Sequence, residues 1–157
     1  KGKVKAVKGH AEATSLFNES VDIIVSRSVL EHITNPSAAI REQARILKKG
    51  GVFIHFIDLR DHIFKWPFEM LTFSKQTWEN SLTNPKNGAG YQNRLRSDDW
   101  FSLFSSINGF TDIKIDVLTE NPNAFKSIKG RLDKEFSGKD PETLKAAIII
   151  LSGKKSI

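Results

Sequence analysis

The sequence predicts an α/β domain, a three-layer sandwich around a mostly parallel sheet. Three observations carry this. Val21–Val25 and Val52–Ile57 are short apolar runs without polar alternation, as expected of strands buried on both faces. Between them Asn35-Pro36 marks a helix start, with Asn as N-cap and Pro at the first helical position. Ile40, Ala44 and Leu47 then share a helical face that Arg41, Glu42, Arg45 and Lys48 largely avoid. Lys48 and Lys49 fall in the expected last turn and Gly50 closes it. Strand, helix, strand in this order is a right-handed βαβ unit.

The chain of 157 residues suits one domain at most. Its 11 Phe and 3 Trp supply core material, and no apolar run nears the roughly 20 residues a membrane span needs. The absence of cysteine excludes disulfides, thiolate metal sites and a cysteine nucleophile, and is compatible with a cytoplasmic location. The net charge of +6 fits nucleic acid or an acidic small substrate, or else a solvated lysine surface. No basic run is interleaved with aromatic residues, so nucleic acid is not the expected partner, nor is a membrane. The histidines at 10, 32, 55 and 62 show no metal-ligand spacing, and no metal is expected.

Taken in order, Lys3–Val7 alternates lysine and apolar residues, as an edge strand would, and Gly9 closes it. Ala11–Asn18 suits a short helical turn and loop. In open α/β sheets ligands bind beyond the carboxyl ends of the strands, which singles out Ser26-Arg27-Ser28 and the later Asp58–His62. Ser26 either meets a ligand or caps a turn. His32, on a short turn Val29–Ile33, either touches substrate or packs. Asp61 beside His62 suggests a general base, unless an aspartate caps a turn and His62 faces solvent. Trp66–Leu82 is dense in aromatic residues and reads as a lid or as core; Pro67 and Ser74 are helix starts within it. Asn84–Gly90 is a loop and the expected mobile part. Ser97, with Asp98 and Asp99, starts a helix whose core stripe is Trp100, Leu103, Phe104 and Ile107. Arg94 and Arg96 before it either clamp an anionic substrate group or pair with Asp98 and Asp99 or another surface acid. Phe110–Leu118 alternates as a half-exposed edge strand. Phe125, Ile128, Leu132 and Phe136 form one helical stripe, and Ala146–Leu151 is a last buried strand.

Several of these residues carry a resemblance. Val21–Val25, Val29-Leu30-Glu31-His32, Asn35-Pro36 and Arg45–Gly51 resemble the fourth strand, fourth helix and fifth strand of class I S-adenosylmethionine-dependent methyltransferases of the small-molecule type. Gly9-His10-Ala11-Glu12 with Leu16-Phe17 is similar to the segment after that family's third strand. The resemblance covers about Val4 to Ile57; beyond it only the order of elements agrees.

It implies a Rossmann-like sheet whose last strand inserts antiparallel between the fifth and sixth. It implies S-adenosylmethionine as cofactor, with Gly9, His10, Ala11, Ser26 and Arg27 as its contacts, and a small-molecule methyl acceptor. His62, Asp61 and His32 become the candidates for catalysis, and Arg94 and Arg96 for substrate binding. The layout expected is a single partial domain: residues 1–20 as third-strand region, 21–62 as βαβ core, 63–96 as lid and 97–157 as the C-terminal elements.

Two departures qualify the resemblance. His10 stands where the family carries an Asp, and no Gly-x-Gly-x-Gly turn occurs anywhere in the chain. The sequence therefore reads as the C-terminal portion of such an enzyme, an incomplete fold and inactive or nearly so alone. Its first buried strand would present an open edge, inviting a second copy, a strand swap or its own N-terminal strand. The alternatives are a non-catalytic partner-binding module of the same fold, and a nucleic-acid modifier or binder.

Overall fold

The computed structural model describes residues 3–83 and 90–157. The loop expected over Asn84–Gly90 thus lies, apart from Gly90, outside the described residues. Four strands form one sheet in the order β1-β2-β4-β3: β1 Val21–Arg27, β2 Leu47–Asp58, β3 Phe110–Glu120 and β4 Ala146–Lys155. β1 and β2 pair in parallel across α1 (Pro36–Ile46), the βαβ unit the apolar runs predict. β4 lies antiparallel between β2 and β3. Three strands therefore share one direction, yet two of the three ladders are antiparallel, because the single reversed strand sits inside the sheet.

Asn35 caps α1 through its side chain, which accepts from the Ala38 N–H at 3.1 Å. The helix ends at Ile46, earlier than the lysines and Gly50 suggest. Leu47 already pairs with Val21, and Lys48–Gly51 form an irregularity before Val52 pairs with Ile23. Gly50 serves that kink with φ 74 rather than a helix end. Ser97 is likewise inside α3 (Ser97–Ser105); Arg96 is the cap residue, and its N–H donates to Asp99 at 2.9 Å. The stripe through Phe125 breaks up: α4 (Pro122–Ile128) gives way to a 3-10 turn at Lys129–Arg131 around Gly130. Two short helical turns, α2 (Lys75–Thr77) and α5 (Pro141–Lys145), complete the set.

Lys3–Val7 does not form a strand. The described residues offer it no ladder partner, and Val4 stays 99% exposed. Ala11–Asn18 forms turns rather than a helix.

One core lies between the sheet and α1 and α3, where Phe53, Ile57, Ile149 and Leu151 meet Ile40, Trp100 and Phe104. A second gathers Phe68, Leu71, Trp78, Phe125, Ile128 and Phe136 around the 63–83 segment. Most of that aromatic segment is core, although Trp66 is exposed. The opposite face of β1 and β2 has no such cover among the described residues: Ile23, Val25 and Ile54 are 58%, 69% and 43% exposed. The sandwich is incomplete there, and the apolar runs read as strands buried on both faces are half open.

Candidate functional site

Carboxylate, histidine and basic groups converge at the carboxyl ends of β1 and β2. Beyond β1 the 3-10 turn Leu30–His32 carries Glu31 and His32; beyond β2 come Asp58 to His62. The His32 and His62 rings face each other, with centroids 5.1 Å apart. His32 Nδ1 bonds the Tyr91 carbonyl at 2.7 Å, so Nδ1 carries the proton and Nε2 keeps its lone pair. His62 Nε2 lies 3.5 Å from Asp58 Oδ2. Asp58 also takes both arms of Arg60, at 2.9 and 2.6 Å. Burial raises the Asp58 pKa, but the Arg60 bonds and charge outweigh it and hold the carboxyl below its usual range. A cavity of about 520 Å³ opens here, lined by Asp58, Arg60, His62, Lys65 and Asn121.

Asp61 is not the partner of His62. Its Oδ1 accepts from the Ile63 and Phe64 N–H groups at 2.8 and 3.0 Å, and its Oδ2 from the Met70 N–H at 2.7 Å. It caps the following turn, as Asp58 does through the Arg60 N–H at 3.0 Å, but it is Asp58, four residues before His62, whose carboxylate lies by the His62 ring. Glu31 is 3% exposed, and one of its oxygens accepts from the Asp58 N–H at 3.3 Å while the other has no partner. Burial, outweighing its hydrogen bonds, raises its pKa. Asp58 lies in the strand-end segment that the sequence singles out, but Glu31 is marked by nothing in its spacing.

Strand alternation separates Ser26 from Arg27. Ser26 Oγ bonds His55 Nδ1 at 2.8 Å, and His55 Nε2 bonds Gln43 Oε1 at 2.9 Å, a polar chain reaching into the core. Arg27 lies on the open face, its guanidinium 5.0 Å from the Phe56 ring centre. The two side chains therefore cannot line one pocket together. The next residue, Ser28, adopts φ 51, a left-handed conformation at the very turn where a ligand would approach.

Gly9, His10 and Ala11 border another cavity of about 470 Å³, together with Val7, Thr14 and Leu16. His10 is exposed and its carbonyl accepts from the Ala13 N–H at 3.1 Å.

Arg94 and Arg96 are structural. Arg96 is 0% exposed and donates to the carbonyls of Leu59, Leu144 and Ala146, at 2.6 Å for the first. Burial lowers its pKa to about 10. Arg94 is 4% exposed, donates to the Met70 and Phe73 carbonyls and pairs with Glu135 at 2.7 Å. Neither guanidinium pairs with Asp98 or Asp99, which bind Lys139; the surface acid that Arg94 meets is Glu135. Carbonyl clusters left by irregular segments claim these guanidinium groups, and Arg96 has no surface left for a substrate.

Residues 1–55 match the family model of a methyltransferase domain. Among solved structures, the chain is similar to a Thermotoga maritima S-adenosylmethionine-dependent methyltransferase described as a possible histamine N-methyltransferase. That match has TM-score 0.55 and 22% identity, covering 96% of this chain and 63% of the other. This is the class I methyltransferase fold. A Haemonchus contortus phosphoethanolamine N-methyltransferase, solved with phosphomonomethylethanolamine and S-adenosylhomocysteine, shares it at TM-score 0.55 and 16% identity, over 94% of this chain and 36% of that one. So does the [4+2]-cyclase SpnF, at TM-score 0.52 and 16% identity, over 95% and 56%. The methyltransferase fold therefore carries more than one chemistry, and activity has to be argued from the site. The chain spans less than two thirds of the length of each of these three. No curated protein matches it. Among the described residues no helix is long and apolar enough to cross a membrane, and no group of acidic, histidine or cysteine residues is placed to hold a metal ion.

Proposed function

We propose that this chain serves S-adenosylmethionine-dependent methyl transfer to a small-molecule acceptor at the carboxyl ends of β1 and β2. The observation that carries the reading is His62 with Asp58 on the wall of a cavity large enough for a small molecule, the His32 ring 5.1 Å from that of His62. The cofactor, when bound, supplies a methyl group on a sulfonium, a leaving group that needs no acid. The residues then have one task, to take the acceptor's proton. His62 does so, and the imidazolium formed is stabilised by Asp58. His32, with Nε2 free, is the alternate base. Ser26 and the Gly9–Ala11 segment would hold the cofactor. With no Gly-x-Gly-x-Gly turn to receive its methionine end, the chain alone binds it weakly and is close to inactive.

Calorimetric titration of S-adenosylhomocysteine tests this. Weak binding that Ser26→Ala abolishes is the expected result. Tight binding would overturn the proposed weakness, and binding indifferent to Ser26 would overturn the site.

A second reading, a subunit that functions only when paired, is favoured by β1. Its outer edge has no ladder among the described residues, and exposed Ile23 and Val25 flank it. A concentration-dependent dimer in light scattering supports it; a monomer at all concentrations removes it.

A further inference from the structure

The wall that carries His62 and Asp58 also holds groups that the proton transfer does not use: Arg60, Asp61, Lys65 and Asn121. What a molecule entering this cavity can bond depends on which of them keep hydrogen-bonding capacity. The oxygens are engaged. Buried Asp58 accepts from the Arg60 N–H at 3.0 Å and from Arg60 Nε and Nη2 at 2.9 and 2.6 Å. Buried Asp61 accepts from three backbone N–H groups. Asn121 Oδ1 takes the Ala124 N–H at 3.0 Å. The Arg60 carbonyl takes Gln92 Nε2 at 2.8 Å, and the Pro67 carbonyl takes the Asp61 N–H at 2.7 Å.

The donors are not. Arg60 holds Asp58 through Nε and Nη2, which leaves Nη1 without a partner among the described residues, on a half-exposed side chain. The Lys65 ammonium, on the same wall, is exposed and forms neither an ion pair nor a hydrogen bond among them. Asn121 Nδ2 is likewise without a partner there. The charges divide in the same way. Asp58 is neutralised by Arg60, and the Asp61 carboxylate is wrapped by amides, so Lys65 is a cation with no carboxylate in contact. An ammonium entering here would have to displace Arg60 to reach an acid. An anion meets three donors, one of them a charge that nothing else neutralises.

We infer that this cavity takes a small molecule bearing an acidic group, a carboxylate or a phosphate, held by Lys65 and Arg60 Nη1 with Asn121 Nδ2 beside them. The inference rests on the methyl-transfer reading and assigns the class of the methyl acceptor, an organic acid whose reacting end is left to His62.

The test is calorimetric titration of 3-hydroxybenzoate, 3-hydroxybenzamide and 3-hydroxybenzylamine into the cofactor-free chain at neutral pH, with phenyl phosphate as a second acid. The benzoate is expected to bind at least about tenfold more tightly than the neutral amide and the amine. Lys65→Gln should weaken it about tenfold with an unchanged melting temperature, and Lys65→Glu should reverse the order of benzoate and amine. Lys75→Gln, outside this cavity, should leave the affinity as it is. Both acids binding above the amide supports the proposal, and the tighter of the two names the acidic group. Equal binding of benzoate, amide and amine, no heat with either acid, unaltered affinity in Lys65→Gln, or a loss in Lys75→Gln instead overturns it. Cofactor is absent throughout, so these results judge the cavity alone. Failure of S-adenosylhomocysteine to bind while the acid still does would judge the methyl-transfer reading alone.

Discussion

His62 faces Asp58 across 3.5 Å, while the adjacent Asp61 turns away to bind three backbone N–H groups. The two aspartates therefore answer differently to amide substitution. On the proposed reading, Asp58→Asn and His62→Asn should reduce the residual methyl transfer of the chain, by about 100-fold for the histidine. Asp61→Asn should leave the rate per folded molecule intact. It places an amide donor against the Met70 N–H, at a cost of about 1–3 kcal/mol. Urea denaturation beside single-turnover rates separates the two effects; a rate defect in Asp61→Asn without loss of stability would contradict the assignment.

Buried His55 gives the fold an acid sensitivity. Desolvation lowers its pKa to about 4, against 6.5 for the free side chain. The unfolded chain therefore binds the proton first, and stability contributed by neutral His55 is complete above about 6.5 and is lost as pH falls toward about 4. Over that window the loss is about 3 kcal/mol. Glu31 and Asp61, with raised pKa values, act in the opposite direction, so the difference between wild type and His55→Asn is the quantity to follow. Parallel stability curves from neutral pH to 4 would refute the buried neutral histidine.

Arg96 should tolerate nothing smaller. Arg96→Ala strands the carbonyls of Leu59, Leu144 and Ala146 and opens a void under Phe68, whose ring centre lies 5.4 Å from the guanidinium carbon. A loss of at least about 3 kcal/mol is expected. Arg96→Lys should rescue only part of it, since one ammonium cannot span the fork. Thermal melts of both variants check this.

Gly153→Ala probes the β2–β4 ladder. A Cβ there would lie 2.4 Å from Phe53 Cζ, inside the ring that packs over the glycine. Displacing that ring should cost about 1–3 kcal/mol. Chemical denaturation measures it, and a neutral result would mean that Phe53 can move aside.

The elements that could be read from the chain are those whose signal is local. Asn35-Pro36, the apolar run at Val52–Ile57 and the Trp100–Phe104 stripe each specify their own conformation, and each appears. Lys3–Val7 has a strand's pattern, but pairing decides a strand, and no partner is in place among the described residues. Gly50 looked like a helix end and serves a kink in β2. At the site, adjacency in sequence suggested Asp61 with His62, whereas the turn after β2 brings Asp58 to the ring and spends Asp61 on amides. Arg94 does pair with a surface acid, Glu135, but the carbonyls that hold both arginines could not be foreseen. These carbonyls lie up to 50 residues away, and a carbonyl leaves no trace in a sequence.

The place of β4 in the sheet sets an order of events during synthesis. β1, α1 and β2 can assemble as soon as they are made, because their contacts are local. β3 cannot join them, since it touches β4 and not β2. Until Ala146–Lys155 is available, β3 and the β2 edge that awaits β4 are both unpaired, a period of exposure to aggregation or chaperone capture. A stop codon shortly before Ala146 would thus remove the joint between the halves of the sheet rather than trim its border.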